Sequence, residues 1–159
     1  MKVFHPIEPY FNSDSEILIL GSFPSVKSRE QMFFYAHPQN RFWKVISSVY
    51  NLDMPKNIEN KKRLLQNCKL ALWDVISSCE IEGSSDSSIK NVVPNDISKI
   101  LNSSNIEKII VNGKTAEKFY NKYILNKIDI KAICLPSTSP ANASWTLDKL
   151  INAWKIILK

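Results

Sequence analysis

Four short apolar runs punctuate the chain: Glu16–Leu20, Lys69–Trp73, Lys108–Val111 and Ile130–Leu135. They are rich in β-branched residues and apolar at consecutive rather than alternate positions. That is the pattern of strands covered on both faces in a parallel sheet. Between them the spacing becomes helical. Arg41–Tyr50 places Phe42, Val45, Ile46 and Val49 on one face, and Lys114–Leu125, after Gly113, does so with Ala116, Phe119, Tyr120 and Tyr123. Thr146–Leu158 repeats the pattern through Leu147, Leu150, Ile151, Trp154 and Ile157, with Ser144 the best-placed N-cap. Shorter helices are expected at Ile58–Leu65 and, after Pro94 and Asn95, at Asp96–Leu101. Strands alternating with helices predict an α/β fold: three layers, α/β/α, around a short, mostly parallel four-stranded central sheet. In such sheets ligands bind at the carboxyl ends of the strands. Attention therefore falls on the loops opening at Gly21, Asp74, Asn112 and Leu135. The polar stretch Glu80–Asn91, centred on GSSDSSI, is the longest expected loop.

Composition narrows the class. A chain of 159 residues with 44% hydrophobic content suits one domain spanning residues 1–159. Its apolar runs are too short to cross a bilayer, and MKVFHPIEPYF lacks the apolar core of a signal peptide. A cytoplasmic monomer without a membrane partner is expected. Cys68, Cys79 and Cys134 are odd in number and form no C-x-x-C pair, which suits buried thiols better than disulfides, zinc or an iron–sulfur cluster. His5 and His37 have no carboxylate cluster around them, so no metal or other cofactor is expected. The net charge of +6 favours a polyanionic partner, although a lysine-rich composition raises that charge by itself. A nucleotide-metabolising α/β enzyme would want a Gly-rich phosphate loop or acidic metal ligands, and the sequence has neither.

Two segments carry the candidate chemistry. The loop after the first strand run reads GSFPSVKSREQMFFYAHPQNRFWKVI, Gly21 to Ile46. Gly21 and Pro24 make a tight turn off a strand end, where backbone amides can face a ligand. Phe33, Phe34 and Tyr35 form an aromatic run that burial alone does not account for, and Phe42 and Trp43 read as core. The pattern leaves Tyr35 and Asn40 open between functional and structural roles. The second segment, CLPSTSPANASW from Cys134 to Trp145, crowds Ser137, Thr138, Ser139 and Asn142 onto the entrance to the last helix. Small donors at a helix N-terminus are suited to phosphate.

Together these segments resemble the uracil-DNA glycosylase superfamily. HPQNRFWKVI is very similar to the mismatch-specific (Mug-type) enzymes. GSFPS, ALWDVI at Ala71–Ile76, GSSDSSI at Gly83–Ile89, VNGKTA at Val111–Ala116 and LPSTSPANA at Leu135–Ala143 resemble the hypoxanthine-DNA glycosylase branch more closely. The resemblance implies that Tyr35 stacks on a flipped base and that Asn40 is catalytic. It also implies that Phe23, His37 and Asp74 line the base pocket. Ser25, Arg41, Ser137, Thr138, Ser139 and Asn142 are then expected against DNA. One position departs from the pattern: Phe23 stands where mismatch-specific enzymes carry Asn and ordinary uracil enzymes Asp. The usual water-positioning side chain is missing there, which leaves Asn40 as the natural substitute.

The implied activity is a monofunctional DNA glycosylase that removes a deaminated base, hypoxanthine first, and initiates base excision repair. Extruding the nucleotide costs a few kcal/mol, and stacking on Tyr35 returns roughly 1–3 kcal/mol. An amide is no general base, so Asn40 would hold water below the sugar while catalysis rests on stabilising the leaving base. Asp74 as a carboxylate can accept N1–H of hypoxanthine and repel adenine's bare N1. The same holds for uracil N3–H. No lysine sits in a matched position for a Schiff base, so strand cleavage is not expected. Two alternatives stay open: a uracil or mismatched-thymine glycosylase, and a non-catalytic damaged-DNA-binding module.

Overall fold

The computed structural model describes residues 2–158. In chain order these form β1 (Lys2–Phe4), β2 (Ile17–Gly21), α1 (Val26–Gln31), α2 (Phe42–Val49), α3 (Ile58–Cys68), β3 (Leu70–Asp74) and β4 (Ile76–Glu80). There follow β5 (Lys90–Pro94), α4 (Ser98–Asn102), β6 (Lys108–Asn112), α5 (Lys114–Tyr123), α6 (Leu125–Ile128), β7 (Ile133–Leu135) and α7 (Leu147–Trp154). Strands β3-β2-β6-β7 make a four-stranded, all-parallel sheet. The expected three-layer α/β/α architecture is the observed one.

The sheet shows why its strands read as unbroken apolar runs. Ile17 and Ile19 of β2 enter one core, Leu18 and Leu20 the other. Leu70 and Leu72 of β3 divide from Ala71 in the same way, and Ile110 of β6 from Ile109 and Val111. Both faces are therefore buried and no position is left for a polar alternate. The first core is closed by Val45 and Ile46 of α2, Leu65 of α3, and Leu150 and Trp154 of α7. The second is closed by Ile100 of α4, Phe119 and Tyr120 of α5, and Ile76 and Cys79 of β4. Tyr10 exchanges both backbone hydrogen bonds with Leu72, at 3.0 and 2.9 Å, which covers the free edge of β3.

Four expectations need correction. A second, antiparallel sheet of order β1-β4-β5 was not foreseen. Its strands are short, polar at several positions and irregular in register, so they carry no clear period. The stretch Glu80–Asn91 is a loop as expected, but one that joins β4 to β5, with Glu80, Lys90 and Asn91 already in the strands. Residues Val26–Gln31, read as loop, form α1, with Ser25 as N-cap accepting from the Ser28 amide. The last helix is capped by Thr146, whose hydroxyl accepts from the Lys149 amide at 3.2 Å, and not by Ser144. Ser144 and Trp145 belong instead to a loop held from α2. The fourth strand is also shorter than expected, pairing with β6 only from Ile133, while the Ile130 carbonyl accepts from the Tyr120 hydroxyl.

The three cysteines are free thiols. Among the described residues no helix is long and apolar enough to cross a membrane, and no cluster of His, Cys, Asp or Glu is arranged for a metal.

Candidate active site

The carboxyl ends of β3, β2 and β6 lie side by side and end in Asp74, Gly21 and Asn112. These three residues form the floor of a cavity of about 530 Å³. A Cβ on Gly21 would stand 2.4 Å from Asp74 Oδ1 and 3.2 Å from the Tyr35 hydroxyl. The middle strand thus needs glycine because the side chains beside it converge over its Cα. The other walls come from Phe23 and Pro24, from Tyr35 to Asn40, from the hairpin tip Ser84–Ser87, and from Ser137 to Ala141.

Tyr35 adopts a left-handed backbone, φ 53°, unusual for an aromatic residue and costly by roughly 1–3 kcal/mol. Neighbouring bonds enforce it. The Ala36 amide donates to the hydroxyl of buried Ser28 at 3.1 Å, and the Trp43 indole donates to the Phe34 carbonyl at 3.1 Å. The ring is stacked on Phe42, with centroids 4.1 Å apart and planes 20° off parallel. Its hydroxyl is buried without a hydrogen-bond partner. Asn112 faces that hydroxyl, yet the approach falls short of bonding geometry. Burial, and then the Asp74 charge, hold the phenol far above its ordinary pKa.

Asn40 is fixed through its oxygen. Oδ1 accepts from the Phe42 backbone N–H at 2.9 Å and from the Thr138 hydroxyl at 2.9 Å. A backbone N–H can only donate, so the amide's orientation is determined and Nδ2 is left for the cavity. Thr138 is fully buried, and its hydroxyl accepts in turn from Asn112 Nδ2 at 3.0 Å. Asn112 Oδ1 accepts the Thr138 amide at 3.1 Å. Asn112, Thr138 and Asn40 are therefore one relay along the cavity lining.

The remaining candidates have these places. His37 lines the cavity with Nδ1 accepting from the Gln39 amide at 3.1 Å, so Nε2 is its donor. Phe23, 9% exposed, packs edge-on to His5 at 5.9 Å and beneath the Arg29 guanidinium at 5.5 Å. Ser25 is occupied as the α1 cap. Arg41 donates to the carbonyls of Ser139, Asn142 and Trp145, which makes it the clasp of the Ser137–Trp145 loop. Within that loop Ser137 accepts the Ser139 amide, Ser139 accepts the Ala141 amide, and Asn142 donates to the Ser137 carbonyl. Ser137, Ser139 and Ala141 also line an open groove of about 900 Å³ that continues past Lys114 and Lys118. A concave base-sized cavity joined to a basic groove is a shape for a nucleotide extruded from a polyanion.

The uracil DNA glycosylase superfamily model matches residues 8–158, nearly the whole chain. The chain belongs to the uracil DNA glycosylase superfamily. Membership makes it a DNA glycosylase, with DNA as its substrate. It is 32% identical over 136 residues to a protein of Methanosarcina barkeri named hypoxanthine DNA glycosylase, covering 84% of this chain and 85% of that one. A hypoxanthine DNA glycosylase of Methanosarcina acetivorans is 29% identical over 150 residues, 93% of each chain. The fold matches a solution NMR structure from Methanosarcina acetivorans described as a candidate uracil DNA glycosylase, with TM-score 0.81, 27% identity and full coverage of both chains.

Sequence reasoning missed two parts of the glycosylase cavity and one residue behind its floor. Asn112 was noted as a loop position but given no role, although it ends a strand run beside Gly21. Asp86 and its serine neighbours were read as a free loop, whereas Ser84 accepts the Val26 amide at 3.0 Å and Arg29 donates to the Gly83 carbonyl at 3.0 Å, docking the tip on α1. His5 was weighed as a metal ligand alone.

Proposed function

We propose that this glycosylase excises deaminated bases from DNA, hypoxanthine above all, by hydrolysis without strand cleavage. The observation that carries the reading is the floor: an acceptor, Asp74, and a donor, Asn112, flank the bare Gly21. A lactam edge presents a donor N–H next to an acceptor C=O, which is the complement of that pair. Hypoxanthine has this edge and adenine has the reverse. The names of both Methanosarcina relatives point the same way.

The base would enter against the free side of Tyr35, whose other face is backed by Phe42. Cleaving the N-glycosidic bond moves the bonding electron pair onto the base, leaving an oxocarbenium-like sugar. Preorganised donors aimed at that developing charge are the strongest catalytic resource of such a site. Asn112 Nδ2 and Asn40 Nδ2 are such donors. The water-holding role expected for Asn40 is revised accordingly, because its oxygen is already taken by Phe42 and Thr138. Among the residues lining the cavity there is no lysine, in keeping with hydrolysis rather than a Schiff base. We take the enzyme to work as a cytoplasmic monomer that initiates base excision repair.

The test is direct. Duplexes carrying one deoxyinosine or one deoxyuridine are incubated with the protein, treated with alkali and resolved on a denaturing gel. Cleavage at inosine, faster than at uridine, is expected. Cleavage at uridine alone would overturn the hypoxanthine assignment, and binding to inosine DNA without any cleavage would make the protein a damage-binding module.

A further inference from the structure

His5 comes from the N-terminal arm just after β1, far in sequence from Asp74, which it meets behind the cavity floor. Its side chain is 2% exposed and that of Asp74 5%, and His5 Nε2 lies 2.7 Å from Asp74 Oδ2. The other ring nitrogen, Nδ1, accepts the Ile7 backbone N–H at 3.2 Å. Because that amide can only donate, Nδ1 carries no proton and Nε2 does. The ring is the neutral Nε2–H tautomer, donating to a carboxylate. Phe23, Phe34 and Trp73 surround it at ring centroid distances of 5.9, 6.5 and 6.2 Å, which blocks rotation. The backbone of Asp74 is pinned as well, its carbonyl accepting from Asn95 Nδ2 at 2.9 Å. One carboxylate oxygen is thereby consumed, while Oδ1 stands over Gly21.

We propose that His5 is the positioning residue for base selection. It holds Asp74 turned so that Oδ1 stands over Gly21 as an acceptor. The inference rests on the reading that the floor takes a lactam base. Its chemistry is simple. A buried carboxylate that loses the donor on one oxygen is free to rotate, and Oδ1 is then no longer fixed over Gly21. The groups around Asp74 do not hold it in its place, since the Tyr35 hydroxyl makes no hydrogen bond to it and Asp86 at the hairpin tip is a like charge. Once Oδ1 is free to turn away, it no longer opposes adenine's bare N1, and the refusal of undamaged DNA would weaken.

The experiment compares wild type, His5→Phe and His5→Gln; the glutamine amide can still donate at the reach of Nε2. Single-turnover excision of inosine is measured together with affinity for duplexes carrying 2′-fluorinated deoxyinosine or deoxyadenosine, which resist hydrolysis. For His5→Phe we expect excision about 10- to 100-fold slower, the worth of a hydrogen bond to a charged group. Its preference for inosine over adenosine falls by a similar factor. His5→Gln should recover most of both. Should His5→Phe stay within threefold of wild type in rate and preference, the proposal fails. It fails equally if both variants lose rate with the preference unchanged, because that is a purely structural effect. If wild type cuts uracil and ignores inosine, it is the hypoxanthine reading that falls. The same comparison then proceeds with uracil against cytosine, whose bare N3 takes the place of adenine's N1.

Discussion

Thr138 donates its hydroxyl hydrogen to Oδ1 of Asn40 at 2.9 Å, at the end of the amide that is turned away from the substrate. With the Phe42 N–H on the same oxygen, Asn40 closes a side-chain turn at the entrance to α2 and shows the cavity its NH2 group. Asn40→Asp separates the two roles open to this side chain. Aspartate keeps both bonds at one oxygen and presents a second acceptor in place of the donor. If the donor stabilises the leaving base, Asn40→Asp should lose excision as far as Asn40→Ala does, about 100- to 1000-fold. A carboxylate that retained or raised activity would instead show that Asn40 works by gripping water. Single-turnover rates on inosine duplexes decide between them.

Thr138→Val keeps the volume and removes the relay. The half-buried Asn112 Nδ2 then loses its acceptor, the new methyl lies at the fully buried position of Thr138, and Asn40 keeps one donor of two. The expected cost is about 1–3 kcal/mol, or roughly 2–4 °C of melting temperature per kcal/mol in a chain of this size. Excision should fall less than in Asn40→Ala, because the Phe42 amide still orients the side chain. An unchanged melting temperature would mean that water replaces the hydroxyl.

Gly21→Ala tests the floor by volume alone. Gly21 has no positive φ to protect, so the substitution strains no backbone, but the new methyl meets Asp74 Oδ1 at 2.4 Å. Asp74 cannot swing aside without breaking its bond to His5. Loss of excision of at least about 100-fold is expected, within the range for losing a preorganised contact, together with a lowered melting temperature. Near-normal activity would place the base elsewhere in the cavity.

These arguments depend on how much the chain declares locally. The central sheet was legible because burial on both faces leaves a continuous apolar run, as in Ile17–Leu20. Helices α2, α5 and α7 were legible because one buried face repeats with helical spacing. The candidate cavity residues came from motif resemblance, and Asn40 shows its limit. Its residue type suggests catalysis, but its oxygen is shared with Thr138, which arrives from the far side of the chain. The second sheet was illegible for a related reason. ISSCE and KNVVP pair across register shifts, so no period marks them. His5 likewise acquires its partner through tertiary packing, which no local pattern announces.

Arg41 and Lys114 should respond differently to salt. The Arg41 guanidinium bonds three loop carbonyls, whereas Lys114 is exposed in the groove. Arg41→Ala is expected to lower stability and weaken DNA binding by loosening the Ser137–Trp145 loop. The slope of log affinity against log salt should not change, because no phosphate contact is lost. Lys114→Ala should leave stability alone and reduce that slope by roughly one. Titrations at several ionic strengths, paired with melting curves, check both; a reduced slope in Arg41→Ala would make Arg41 a phosphate contact.

Tyr35→Phe sets stability against function. The Tyr35 hydroxyl is buried without a partner in the free protein, a condition that costs about 1–3 kcal/mol. Deleting it should therefore raise the melting temperature, since the stack on Phe42 is unaffected. The hydroxyl stands with Asp74 over Gly21, where a bound base would supply the missing bond. Excision should accordingly fall about tenfold, the loss of one hydrogen bond made in the complex alone. The sign with pH follows from the same burial. Desolvation and then the Asp74 charge raise the phenol's pKa, so Tyr35 stays protonated where a free tyrosine would ionise, near pH 10. Wild type and Tyr35→Phe should therefore show the same alkaline limb in their pH–rate profiles, differing in height alone. A limb present in wild type and absent from the variant would mean that the phenol ionises during catalysis. An increase in stability with no loss of rate would mean that the base never reaches the hydroxyl.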